Sequence, residues 1–241
     1  MTHERTPGKR GRLAAAGVTA AAALTATALA LPAQASTAQT ASGHGGTARV
    51  NVVHGIPGAT VKVCVDGQAA IRGFTLGEKV VGARVPAGKH RVRVVAAGRS
   101  CHSQAILRSH YRLRAGKNYT IVAAVKPSGT PRLKAYGNRV GPVDEGTSRL
   151  VVRHTAKAPA VNVWANGAKL IGGRHFTWGD SRTFDVPRGH YRVKVTLPGS
   201  KRPVIGPRRL AVRAGDAYQV YAVGTSGHYR LIVVKTHVGT H

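Results

Sequence analysis

The sequence predicts an all-β chain: two tandem immunoglobulin-like or prealbumin-like antiparallel β-sandwich domains behind a cleaved signal peptide. Three observations carry that expectation. A motif returns after about 100 residues; apolar residues alternate with period two inside each copy; and Gly/Pro turn signals interrupt the runs every eight to twelve residues. Valine is abundant, and its branched side chain packs well on a pleated surface, which tilts the reading further towards strands.

Residues 1–35 read as a signal peptide rather than part of the fold. Lys9, Arg10 and Arg12 precede an Ala/Leu/Val-rich stretch from Leu13 to Leu31, and Ala33-Gln34-Ala35 is a small-x-small motif that places cleavage between Ala35 and Ser36. A membrane span is the competing reading of that stretch. Its many alanines and threonines, and the cleavage motif beside it, favour removal. No later segment is apolar for long enough to span a bilayer, so a soluble, secreted protein without a transmembrane segment is expected. Residues 36–47 are polar, small and glycine-rich, the composition of a flexible linker.

The first repeat is assigned to 48–139, a turn-rich linker to 140–147 and the second repeat to 148–241. Val53-His54 through Val63-Cys64-Val65-Asp66-Gly67 returns as Arg153-His154 through Val163-Trp164-Ala165-Asn166-Gly167 without a gap. Phe74-Thr-Leu-Gly77, Val85-Pro-Ala-Gly88 and Leu113-Arg-Ala-Gly-Lys-Asn-Tyr119 have counterparts at Phe176-Thr-Trp-Gly179, Val186-Pro-Arg-Gly189 and Val212-Arg-Ala-Gly-Asp-Ala-Tyr218. Loops absorb the small drift in offset. Val92 and Val94 alternate with Arg91 and Arg93, as Val193 and Val195 do with Arg192 and Lys194, so the valines face a core and the cations face outward. Asp66-Gly67 and Asn166-Gly167 predict type I′ hairpin turns, and Pro86-x-Gly88 and Pro187-x-Gly189 a second turn. Tyr119 and Tyr218, each just past an Arg-Ala-Gly turn, read either as corner tyrosines bonded back to upstream backbone or as ordinary core aromatics.

Together the Val-His strand end, the Pro/Gly/Ala turn, Val-x-Val-x-Val-Asp-Gly, Val-Pro-Ala-Gly-x-x-x-Val-x-Val and Ala-Gly-x-x-Tyr-Thr resemble the domain-of-unknown-function family 4397. The resemblance covers Ala48 to Val238 and implies secreted bacterial β-sandwich modules in tandem, of a kind common in actinobacteria. It implies no reaction and no catalytic residues.

The chain carries 37 Lys+Arg against eight Asp+Glu; beyond residue 35 there remain 33 bases against seven acids. Such an imbalance attracts polyanions, although a general compositional bias is the bland alternative. Arg91, Arg93, Arg112, Arg114, Arg192, Lys194, Arg208, Arg209 and Arg213 are the candidate contacts, expected on one cationic sheet face. The expected partner is an anionic cell-envelope polymer or another polyanion, bound outside the cell or at the wall. No helix-turn-helix, zinc finger or aromatic stacking signature points to sequence-specific nucleic acid.

Cys64 and Cys101 are the only cysteines, and in an oxidising compartment they are expected to pair, with a reactive thiol or half a metal site as the alternative. Trp164 and Trp178 occur only in the second repeat. They suggest either a carbohydrate- or peptide-binding module using exposed tryptophans or cover for a sheet. His54 and His154 are the aligned histidines, candidates for a ligand site or, more simply, for bonds to the turn each enters. The acids form no duplicated pair suited to glycoside hydrolysis, and no nucleophile elbow, phosphate loop or His-Glu-x-x-His occurs. The expectation is a non-enzymatic protein with no cofactor and no metal, a hydrolase of unrecognised type being the remaining alternative.

Overall fold

A computed structural model describes residues 45–172 and 175–241. The expected signal peptide, its cleavage point at Ala35 and Ser36 and the linker up to residue 44 lie outside them. The first repeat forms β1 (Thr47–His54), β2 (Val61–Val65), β3 (Gln68–Phe74), β4 (Lys79–Pro86), β5 (Gly88–Ala96), β6 (Leu107–Leu113), β7 (Asn118–Val125) and β8 (Pro131–Asn138). The second forms β9 (Thr147–His154), β10 (Asn162–Ala165), β11 (Ala168–Ile171), β12 (Ser181–Pro187), β13 (Gly189–Thr196), β14 (Pro203–Val212), β15 (Asp216–Val223) and β16 (Arg230–His237).

Each repeat is a sandwich of two four-stranded sheets. The first has the orders β3-β2-β5-β6 and β4-β1-β7-β8; the second has β11-β10-β13-β14 and β12-β9-β15-β16. The pairings are antiparallel except that β1 runs parallel to β7, and β9 to β15. Those two strands open and nearly close each repeat, and the all-antiparallel expectation misses them.

The alternation predicted from sequence sets the cores. Val92 and Val94 pack with Val61, Val63, Phe74 and Ile121, while Val193 and Val195 pack with Val161, Val163, Phe176 and Val220. Asp66 and Asn166 both sit at positive φ, 50° and 49°, each followed by a positive-φ glycine, as a type I′ turn requires. Pro86 and Gly88 form a corner rather than a hairpin, because β4 pairs with β1 in one sheet and β5 with β2 in the other. Gly88 has φ of 144°, a region other residues rarely reach. The corner tyrosines bond upstream as the motif predicts: the Arg114 N–H donates to Tyr119 Oη at 3.3 Å, and the Arg213 N–H to Tyr218 Oη at 3.0 Å.

The two sandwiches share a third core. Val53, Val122, Ala124 and Tyr136 of the β4-β1-β7-β8 sheet pack on Tyr221, Val223, Ile232 and Val234 of the β12-β9-β15-β16 sheet. These two sheets are therefore inner layers, and β3-β2-β5-β6 and β11-β10-β13-β14 are the outer layers of a four-layer stack. The reason is visible in β7 and β15, whose side chains are buried on both faces: Ile121 and Ala123 point one way, Val122 and Ala124 the other. Gly55 lets the layers approach, since a Cβ there would stand 2.8 Å from the Val223 Cβ, and the Gly224 N–H donates to the Gly55 carbonyl at 3.2 Å.

Arg153 crosses this interface. It is 3% exposed, where the first repeat has Val53. Its guanidinium lies 4.4 Å from the Tyr136 ring centroid and 5.3 Å from that of Tyr221, and donates to Asn138 Oδ1 at 2.8 Å, to the Gly137 carbonyl at 3.2 Å and to the Tyr221 hydroxyl. Aromatic faces and neutral acceptors thus hold a buried cation in place of a carboxylate.

Candidate functional site

Rows of cations lie on the outer faces of the two outer sheets, beside others on the inner sheets such as the Arg49/Arg84 pair across β1 and β4. On β5 and β6, Lys89 stands opposite Arg112, Arg91 opposite His110 and Arg93 opposite Arg108. Like charges directly across a strand pair repel, so this ladder is held against a local cost. Among the described residues no side chain of the ladder forms an ion pair with a carboxylate, although Asp66 lies near enough for the Arg91 charge to act on it; Arg93 donates to the Ser103 carbonyl. A shallow depression of about 380 Å³ lies among Lys89, Arg91, Arg93, His102 and His110, with Asp66 also in its lining.

The second outer face repeats the arrangement more sparsely. Arg192 stands opposite Arg209, with Lys194 and Lys169 beside them, each ammonium 5.2 Å from the Trp164 ring centroid. Arg208 does not join this face, contrary to expectation: it is in register with Val193, whose side chain enters the core, and neighbouring residues of a strand point to opposite sides. Arg114 and Arg213 lie beyond the ends of β6 and β14, in exposed turns rather than in the rows. The rows also do not form one surface. They occupy the two ends of the stack and face opposite ways.

Hairpin chemistry fixes the start of each row. Asp66 Oδ1 accepts from the Arg91 N–H at 2.7 Å, and Asn166 Oδ1 accepts from the Arg192 N–H at 2.7 Å. The Asp-to-Asn change keeps this bond and removes a negative charge from the second face. Asp66 also meets His90 Nδ1 at 2.6 Å. The Arg91 amide first, and His90 next, hold the Asp66 carboxyl below its usual range. For His90, burial opposes the imidazolium, but Asp66 and the Pro86 carbonyl outweigh it and raise its pKa. Tyr191 replaces His90 and donates to the Pro187 carbonyl at 2.8 Å.

Cys64 and Cys101 form a disulfide that packs on Val95 and fastens the loop after β5 over the outer sheet. In the second repeat Trp164 covers the same surface, its Nε1 donating to Thr196 Oγ1 at 3.0 Å. Trp164 is half-buried rather than exposed. Trp178 is also partly buried, against the shared core between the sandwiches, where Leu76 packs in the first repeat. His54 and His154 are almost wholly buried. They lie near Phe74 and Phe176, with ring centroids 5.4 and 5.9 Å apart. His54 Nδ1 accepts from the Ile56 N–H at 3.1 Å; His154 Nε2 donates to the Pro159 carbonyl at 2.8 Å. Burial lowers both pKa values. Both are turn-bonded, neutral core residues.

Each sandwich core also encloses an apolar cavity, about 120 Å³ in the first and 110 Å³ in the second. Short valine and alanine side chains leave this space, and neither lining contains an acid, a histidine or a nucleophilic serine or cysteine. Among the described residues no cluster of three His, Cys, Asp or Glu could hold a metal ion, and no helix is long and apolar enough to cross a membrane.

A family model described as "Domain of unknown function (DUF4397)" matches residues 48–164 and 155–240. The chain belongs to the DUF4397 family. The repeated turn and core residues described above lie within the matched segments. No curated protein matches the DUF4397 chain. Among solved structures it is similar to the Bacillus anthracis TIE protein at 10% identity and a TM-score of 0.23, covering 75% of this chain. The match spans only 34% of the TIE protein's length.

Proposed function

We propose that this DUF4397 chain is a non-enzymatic extracellular protein that holds polyanions on its outer sheet faces, with the anionic polymers of a cell envelope as partners. The observation that carries the reading is the cross-strand ladder of Lys89, Arg91, Arg93, Arg108 and Arg112 on β5 and β6, unpaired with any described carboxylate. A protein that needed only solubility gains nothing from setting like charges opposite one another. A polyanion laid along the strands relieves that repulsion, and its binding draws on charge rather than on a shaped pocket. The test is retention on an immobilised polyanion through a salt series. Retention at physiological ionic strength that weakens as salt rises is expected, because the Debye length falls from about 8 Å to about 3 Å at 1 M. Retention indifferent to salt, or none at physiological ionic strength, would contradict the proposal.

A further inference from the structure

We infer that the chain is bivalent and bridges two polyanion strands, one on each end of the stack. The inference rests on the proposed polyanion binding and adds to it the geometry of the two faces. The shared core of Val53, Val122, Tyr136, Tyr221, Val223 and Val234 joins the sandwiches through their inner sheets. The Arg91/His110 and Arg93/Arg108 rungs and the Arg192/Arg209 rung therefore project from opposite outer sheets. Packed sheets lie about 10 Å apart, so three interlayer gaps separate the faces by roughly 30 Å before side chains are added. That is several times the Debye length of about 8 Å at physiological ionic strength, so an anion on one face scarcely alters the field at the other. Neither can one short polyanion reach both faces without passing around the sandwich edges. Arg153 and its contacts with Asn138 and the Gly137 carbonyl, across the two repeats, hold the faces back to back. A single binding function would need only one copy; two copies joined with their cations outward make a spacer with two grips.

The experiment uses the chain from Ser36 onward. Protein is loaded on heparin-agarose at physiological ionic strength, washed, and challenged with soluble fluorescent dextran sulfate. The parent chain should capture the soluble polymer, and should bind a short heparin oligosaccharide at two per chain. Arg91→Gln/Arg108→Gln/Arg112→Gln removes three of the five cations of one face, and Arg192→Gln/Arg209→Gln/Lys169→Gln three of the four on the other; all six residues are exposed, so folding should survive and is checked by circular dichroism. Each variant should bind one oligosaccharide per chain and lose capture at least tenfold. Loading without capture, a stoichiometry of one for the parent, or capture undiminished in both variants would overturn bridging and leave simple binding standing. Undiminished capture would assign bridging to self-association. Failure to load on heparin-agarose would overturn the binding itself.

Discussion

Reducing the Cys64–Cys101 bond should destabilise both sandwiches, although only the first contains it. The bond spans a sequence separation of 37, and by chain entropy a loop of that size stabilises by about 4 kcal/mol. Both tryptophans lie in the second repeat, Trp164 on its outer sheet and Trp178 against the shared core, so their fluorescence reports that sandwich and its junction with the first, whereas far-UV circular dichroism reports both repeats throughout. The shared core decides how the probes behave. Val53, Val122, Tyr221, Val223 and Val234 are each fully buried; at about 1.5–3 kcal/mol for each such side chain, separating the layers costs on the order of 10 kcal/mol. That exceeds the contribution of the disulfide, so the first sandwich cannot unfold and leave the second intact. In urea, the reduced protein or the Cys64→Ala/Cys101→Ala variant should show fluorescence and dichroism midpoints shifted down together, by roughly 1.3–2 M for a slope of about 2–3 kcal/mol/M. A fluorescence midpoint that stays put while the dichroism transition splits would refute the shared core. A common shift below about 0.3 M would refute the role given to the disulfide.

Stability should fall as pH drops below 6.5, because His54 and His154 are buried neutral with pKa values below the 6.5 of the unfolded chain. Each adds up to about 1.4 kcal/mol per pH unit below 6.5, down to its folded pKa. His90, with its raised pKa, contributes in the opposite sense, stabilising fully below 6.5 and losing that contribution above it; urea midpoints between pH 8 and 5 check both signs, and a flat profile contradicts them. Tyr218→Phe should cost about 1–2 kcal/mol by stranding the Arg213 N–H, and Tyr119→Phe less, its bond being 3.3 Å against 3.0 Å; equal losses in thermal melts would count against the corner assignment. Gly55→Ala should cost about 1–3 kcal/mol by pressing a methyl group on Val223, and a neutral effect in denaturation would show that the layers have room to spare.

Much of each sandwich is legible in the sequence because strand alternation is local. Val92 and Val94 against Arg91 and Arg93 assign the two sides of β5, and Asp66-Gly67 and Asn166-Gly167 name their turns from backbone sterics alone. The packing of one repeat on the other follows from pairings across about 100 residues, and periodicity does not report those. A signal was nevertheless present. Tyr119-Thr-Ile-Val-Ala-Ala-Val125 and Ala217-Tyr-Gln-Val-Tyr-Ala-Val223 are nearly continuous apolar runs, the pattern of strands buried on both faces. Without that clue Arg153 and Trp178 look like surface residues, since nothing near them in sequence shows that a second sandwich covers them. Arg208 illustrates another limit. Composition groups it with Arg209, while alternation along β14 sets the two neighbours on opposite sides.

The proposed polyanion binding depends on where the cations stand rather than on how many the chain carries. Two triple variants of equal net charge test it most directly on one heparin column with a salt gradient. Arg91→Gln/Arg108→Gln/Arg112→Gln removes three of the five cations of the first ladder, and Arg132→Gln/Arg139→Gln/Arg182→Gln removes three exposed arginines from the inner sheets and the connection between repeats. The ladder variant should elute at markedly lower salt while the other stays near the parent; equal shifts would contradict the claim and return the binding to bulk charge.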